Sequence, residues 1–239
     1  MTAAGSLGPG PSTTLRRQRQ RGRHDRATIH AILDEALVCH LGLIAGDRPV
    51  VVPTAYARED DHLYLHGAPA NAALGAAGTG ATVCITVTLV YGLVLARSAL
   101  HHSLKYRSVM VFGTASIVTG PAEKRRAMAL LLEHAVPGRA ADARPPTDAE
   151  LRATKVVRVD IAEGSAKVRT GGPNDEPEDQ VLAVWAGHVP FSLVAGAPVA
   201  DPADALPARP ALAAPGYLPQ AGQPARPRAS DKPRSGASR

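Results

Sequence analysis

The chain has 239 residues, 45% of them hydrophobic, and a formal net charge of +6. No run approaches the roughly 18 apolar residues of a membrane span, while the apolar content exceeds that of a wholly disordered chain, so one sizeable core is expected. The charge sits at the ends: residues 1–23 hold five arginines and no acid, and residues 201–239 hold six basic residues against three acidic ones. The stretch between is therefore slightly acidic, which argues against a nucleic-acid-binding surface.

Residues 1–23 and 201–239 offer little large apolar surface to offset the entropy of ordering, so both are expected to be disordered tails around one domain over residues 24–200. Within it, Asp25 reads as an N-cap, with Ile29, Ile32, Leu33, Ala36 and Leu37 at helical spacing behind it. Residues 38–44 and 49–57 read as a hairpin, and residues 62–66 as a short third strand. Gly67-Ala68-Pro69 breaks that strand, and an alanine-rich helix is expected over 70–77. Two long β-branched runs follow, from Val83 to Leu95 and from Val109 to Val118. A helix opened by Pro121, a shorter one opened by Thr147, and a last strand over 156–161 complete the pattern. A basic, glycine-rich loop is expected over 167–172, then an acidic linker and Trp185. Five or six strands joined by tight turns predict a mainly β, antiparallel barrel with peripheral helices.

Cys39 and Cys84 lie inside apolar strands and form no CxxC pair, so neither a zinc site nor a disulfide is expected. Buried free thiols, and basic residues at 16–23 with no apolar stretch after them, point to a cytoplasmic protein without a membrane partner. The connection between the two long strands concentrates Arg97, Ser98, His101, His102, Lys105, Tyr106, Arg107 and Ser108. Polar groups gathered at the ends of buried strands are where a barrel commonly holds a ligand. Adjacent His101 and His102 would point to opposite faces, and no carboxylate or thiolate adjoins them, so no metal site is expected.

Several motifs together resemble the flavin-binding split-barrel proteins related to pyridoxamine 5′-phosphate oxidase, in the branch of the nitroimidazole-reducing Nim proteins. They are Val52-Pro53-Thr54-Ala55-Tyr56, Leu63-Tyr64-Leu65-His66-Gly67, Val83-Cys84-Ile85-Thr86-Val87, the stretch ARSALHHSLKYRSVMVFG over 96–113, Lys167-Val168-Arg169-Thr170-Gly171 and Trp185-Ala186-Gly187. The resemblance spans about residues 25–195. It implies a six-stranded split β-barrel, a homodimer, and FMN in the cleft between subunits. The ring would rest on Pro53, Thr54 and Tyr56. Phosphate or ribityl oxygens would meet Arg107, Ser108 and Gly67, with Thr86, Tyr106, Lys167, Arg169 and Trp185 as further cofactor neighbours. His66 is the expected catalytic residue, by similarity to the substrate-facing histidine of the Nim proteins. One departure stands out. In the pyridoxine-phosphate oxidases a Ser-Arg-Lys segment opens the helix after the third strand and grips phosphate. Here that place holds Ala70-Asn71-Ala72-Ala73, with no cation, so either Lys105, Arg107, Lys167 or Arg169 takes its part or phosphate affinity is reduced, which leaves FAD, a deazaflavin, haem or no cofactor open beside FMN. The primary expectation is a flavin-dependent oxidoreductase acting on a small oxidised substrate. The alternative is a non-catalytic module of the same barrel holding haem, a deazaflavin or a sensory ligand.

Overall fold

The computed structural model describes residues 5–16, 19–201 and 214–224. In chain order the elements are β1 (Gly22–Arg23), α1 (Arg26–Glu35), β2 (Val38–Ala45), β3 (Arg48–Glu59), β4 (His62–Gly67), α2 (Ala72–Ala77), β5 (Thr79–Leu95), β6 (Ser103–Ile117), α3 (Pro121–Ala135), α4 (Arg139–Asp142), α5 (Asp148–Arg152), β7 (Lys155–Arg169) and β8 (Gly187–Pro190).

Six of these strands close on themselves. Strand β2 pairs with β3, β3 with β4, β4 with β7, β7 with β6, β6 with β5, and β5 returns to β2, every pair antiparallel. The ring is the expected split barrel. Two short strands, β1 on β7 and β8 on β5, add to it outside the six. Closure removes the open edges that would otherwise seek a partner chain.

Alternation fills the interior. Leu41, Leu63, Leu65, Val83, Ile85, Val109, Val111, Val157 and Val159 point inward and are essentially unexposed. Helix α1 packs into the same core through Ile29, Ile32 and Leu33. Its start is fixed by Asp25, whose side chain accepts from the Thr28 N–H at 2.8 Å, as an N-cap should. Helix α2 contributes Leu74 and Ala77 to that core, and α3 covers a separate patch of Tyr64, Val118 and Val156 with Ala127. Tyr56 is wholly interior, and its hydroxyl donates to the Leu33 carbonyl at the end of α1. Tyr56→Phe is therefore expected to lower the unfolding free energy by about 1 kcal/mol, measured by urea titration, because a buried carbonyl loses its donor.

Two expectations are corrected. Residues 167–169 are not in a loop. Strand β7 runs on to Arg169 through an irregularity opposite Phe112–Gly113, and this break in alternation hides the second half of the strand from a period-two reading. Residues 1–23 were expected to be disordered, yet part of the described segment lies on the barrel. Leu7 is 4% exposed, its N–H donates to the His24 carbonyl, and its own carbonyl accepts from Gly164. Gly164 carries no side chain, and Leu7 stands over the gap together with Ile29 and Val111. One leucine at a glycine is too small a signal to outweigh a segment's composition.

The chain divides into two units, Met1–Phe191 and Ser192–Arg239, rather than at residue 200. Within the second, Val194 bridges to Pro224, and the Ala195 N–H donates to the Gln223 carbonyl at 3.0 Å. Residues 202–213 and 225–239, expected to be disordered, lie outside the described residues.

Candidate functional site

The register of the barrel decides which expected site residues meet. On the outer face, one row across five strands reads Pro53, His40, Thr86, Met110 and Ser165, on β3, β2, β5, β6 and β7. A second row reads Thr88, Ser108 and Lys167, and a third Val90, Tyr106 and Arg169. Pro53, Thr86, Tyr106, Ser108, Lys167 and Arg169 therefore share one continuous surface, though they are scattered over more than a hundred residues of sequence. On the other side of Pro53, Ala55 pairs with Val38. His66, the penultimate residue of β4, lies next to the Tyr56–Leu65 pair. Because Leu65 points inward, alternation turns His66 outward on the flank of the same surface.

Three expected residues face away from it. Thr54 pairs with interior Cys39. Tyr56 is core. Arg107 lies in the row of Leu89 and Val168 and meets α1 instead. Its guanidinium is ion-paired with Glu35, and its Nε donates to the Tyr91 hydroxyl at 2.8 Å. The Tyr91 hydroxyl in turn donates to Glu35 at 2.6 Å. Burial and the Glu35 hydrogen bond push the Tyr91 phenol up to about 12. The anion expected at Arg107 is thus supplied from within the chain, by Glu35. Gly67 closes β4, where the Asn71 side chain accepts from the Leu74 N–H. Trp185 is exposed and lies over Gly187 at the start of β8, beyond the Val90–Tyr106 end of the surface.

The character of the surface is unusual for water-facing strands, which normally alternate apolar inside with polar outside. Here Val51 is 67% and Val38 48% exposed, with Pro53 and Ala55 beside them. Its other end is cationic. Arg169 is only 9% exposed, and its two terminal nitrogens donate to the carbonyls of Leu104 and Gly172 at 3.3 Å. Among the described residues no carboxylate pairs with it. Burial, with Arg21 nearby, holds its pKa below the usual arginine range. A buried cation without a counterion is costly, and a bound anion relieves that cost. Just past Gly172, a polar cleft of about 270 Å³ is lined by Arg97, Pro173, Asn174, Asp175 and Gln180.

The sequence reading missed His40 and Met110, which flank Thr86 in the first row. Period-two counting outward from Cys39 and Leu41 would have found His40.

A family profile described as pyridoxamine 5′-phosphate oxidase matches residues 25–168, which include all of the ring's strands but Arg169, the last residue of β7. The chain belongs to the pyridoxamine 5′-phosphate oxidase family. Among solved structures, the flavocytochrome Anf3 from Azotobacter vinelandii is 36% identical with a TM-score of 0.80, over 87% of this chain and 95% of that one. The FAD and haem binding protein from Mycobacterium smegmatis is 32% identical with a TM-score of 0.76, over 83% and 95%. A 5-nitroimidazole antibiotic resistance protein from Bacteroides thetaiotaomicron is 27% identical with a TM-score of 0.52, over 62% and 86%. Comparison with curated proteins gives no match. No helix among the described residues is long and apolar enough to cross a membrane.

Proposed function

We propose that this member of the pyridoxamine 5′-phosphate oxidase family binds a flavin nucleotide on the outer surface of β3, β2, β5, β6 and β7, and serves as a flavin-dependent redox protein. The carrying observation is Arg169, a nearly buried guanidinium with no carboxylate partner, in register with Tyr106 and one row from Ser108 and Lys167. These groups hold phosphate, and the apolar stretch of Pro53, Thr86 and Met110 supports the isoalloxazine ring. The bound flavin supplies electron transfer to a small oxidised acceptor. The protein's own part is to orient the ring, exclude water from it and neutralise the phosphate charge.

FMN is the family expectation, but two observations favour FAD. Two structures that resemble the chain over more than four-fifths of its length are a flavocytochrome and an FAD and haem binder. The polar cleft lined by Arg97 and Asn174 begins just past Gly172, whose carbonyl accepts from Arg169, giving room for a nucleotide longer than FMN. Purified protein should be yellow, and acid-released flavin identified by chromatography should be FAD near one per chain. A colourless protein that leaves the spectra of added FMN and FAD unchanged would overturn the reading.

The exposed apolar residues support a homodimer that closes over the flavin. Val38, Ile44, Val51, Val90, Leu93, Leu104 and Val189 all lie on barrel strands or β8 yet face water in the single chain, a pattern that marks a protein contact. Val51→Arg is expected to convert a dimer to a monomer in light scattering and to weaken flavin binding at least tenfold. A dimer unaffected by this change would place the interface elsewhere.

A second reading, in which the barrel also holds haem, is favoured by the resemblance to a flavocytochrome and to an FAD and haem binding protein.

A further inference from the structure

We infer that Arg21, carried by the segment ahead of α1, is a further phosphate contact of the bound flavin nucleotide; this rests on the flavin reading above. The topology brings it there. Strand β1 pairs with β7, Gly22 with Lys167 and Arg23 with Ala166, so it continues the row of Thr88, Ser108 and Lys167 by one more strand. Arg21 ends the short 3₁₀ turn Arg19–Arg21 that leads into β1, one residue before that row. Burial first, and then the charge of Arg21, lower the pKa of Arg169, so the two guanidinium groups stand within electrostatic reach of each other.

The segment is fixed to the barrel at several points. The Leu7 N–H donates to the His24 carbonyl at 2.9 Å, and the Gly164 N–H to the Leu7 carbonyl at 2.8 Å. Thr13 is 1% exposed, and its hydroxyl donates to Glu163 on β7 at 3.3 Å. Leu15 closes over Gly22, where a Cβ would stand 2.5 Å from Leu15 Cδ1. Arg23 donates from one terminal nitrogen to the Gln20 and Gly22 carbonyls, at 3.0 and 2.7 Å, and so ties the turn to the strand. A side chain on a backbone held this way gives up little backbone freedom when it meets a ligand.

Charge then selects the ligand. Arg21, Lys167 and Arg169 bring their cations to one end of the surface, and among the described residues no carboxylate pairs with any of them. Glu163, on the same strand, turns to Thr13 instead. Like charges held together repel, the more so where burial thins the water between them. The neighbouring arginines are placed differently. Arg16 and Arg19 are exposed, so water screens them, and Arg23 is exposed and bonded to carbonyls, whereas Arg21 is half-buried. A nucleotide phosphate or diphosphate carries about two negative charges and several acceptor oxygens, so it can receive both guanidinium groups and the ammonium at once. A lone carboxylate would leave the cluster positive.

The probes are riboflavin, FMN and FAD, titrated by fluorescence quenching into the full chain freed of bound flavin. Riboflavin has the ring without the phosphate. Arg21→Ala is expected to weaken FMN and FAD about tenfold, the scale of one charge-assisted hydrogen bond at a partly exposed site. It should leave riboflavin affinity and the urea unfolding midpoint as in wild type. Arg21→Lys should recover part of the loss, because it restores the charge without the planar fork. Arg19→Ala, the same loss of charge on an exposed neighbour, should change FMN affinity by less than about twofold. If Arg21→Ala binds FMN as wild type does, or loses riboflavin and FMN equally, Arg21 does not meet phosphate; the inference is overturned and the flavin proposal stands. If Arg19→Ala costs as much as Arg21→Ala, the effect is general attraction to a basic segment, and the inference is again overturned. If the wild-type chain binds none of the three flavins, the flavin proposal and this inference fall together.

Discussion

Glu35→Ala lowers the unfolding free energy by about 3 kcal/mol and leaves flavin affinity, per folded molecule, unchanged. The cost arises because Glu35 is 10% and Arg107 22% exposed, so removing the carboxylate leaves a mostly buried guanidinium uncompensated. Tyr91 shares the burden. Its hydroxyl bonds both partners, and its ring lies 4.9 Å from the Arg107 guanidinium carbon. Glu35 also occupies the last residue of α1, where a negative charge opposes the helix dipole. The ion pair with β6 therefore outweighs an unfavourable position, and it pins the helix end against the barrel. Arg107→Ala is expected to destabilise by a similar amount, and the double variant by much less than the sum, since the two side chains act as one unit. Urea titrations of the three variants, with flavin titration of each under native conditions, test this. If Arg107→Ala left stability intact but released the flavin, the phosphate role read from the sequence would return to Arg107.

That contrast shows what a sequence can and cannot carry. The strands were legible because alternation of apolar residues is local: Leu41, Leu43, Leu63, Leu65, Ile85 and Val87 announce their own inward face. The surface that brings Pro53, Thr86, Ser108 and Lys167 together was legible only as a set of motifs, since their meeting depends on pairing between strands up to a hundred residues apart. The phase within each motif was the weak point. Pro53 and Thr54 were both assigned to the ring, and Arg107 and Ser108 both to phosphate, yet neighbours in a strand face opposite ways. One member of each pair had to face away, and it was the one in register with a core-side residue, buried Cys39 for Thr54 and partly buried Leu89 for Arg107. Glu35 could not be matched to Arg107 from the sequence, because a helix-end carboxylate and a strand cation 72 residues apart leave no local trace of each other. Irregularities hid the rest. The break in alternation after Ile161 made Lys167 and Arg169 look like loop residues, although both are strand residues paired with Ser108 and Tyr106.

The second large effect falls on Arg169. Arg169→Ala is expected to weaken flavin nucleotide binding about 30-fold, or about 2 kcal/mol, the scale of one lost hydrogen bond to a charged group. Lys167→Ala should cost less, because Lys167 is more exposed and water screens its charge. The buried site has a second consequence. Salt screens surface charges far more than buried ones, so raising ionic strength should weaken binding to wild type only modestly. Arg169→Lys should not restore affinity in full. Arg169 uses its two terminal nitrogens on the Leu104 and Gly172 carbonyls while presenting the same planar group to a ligand, and a lysine ammonium has no such fork. Fluorescence quenching titrations of FMN and FAD against the apoprotein measure all of these. The comparison of the two nucleotides also separates the parts of the site. Loss of Arg169 should weaken both if it meets the phosphate they share, whereas Asn174→Ala, in the cleft beyond Gly172, should weaken FAD alone. Equal losses for FMN and FAD at Asn174 would mean that the cleft does not hold the adenosine end, and FMN would again be the favoured cofactor.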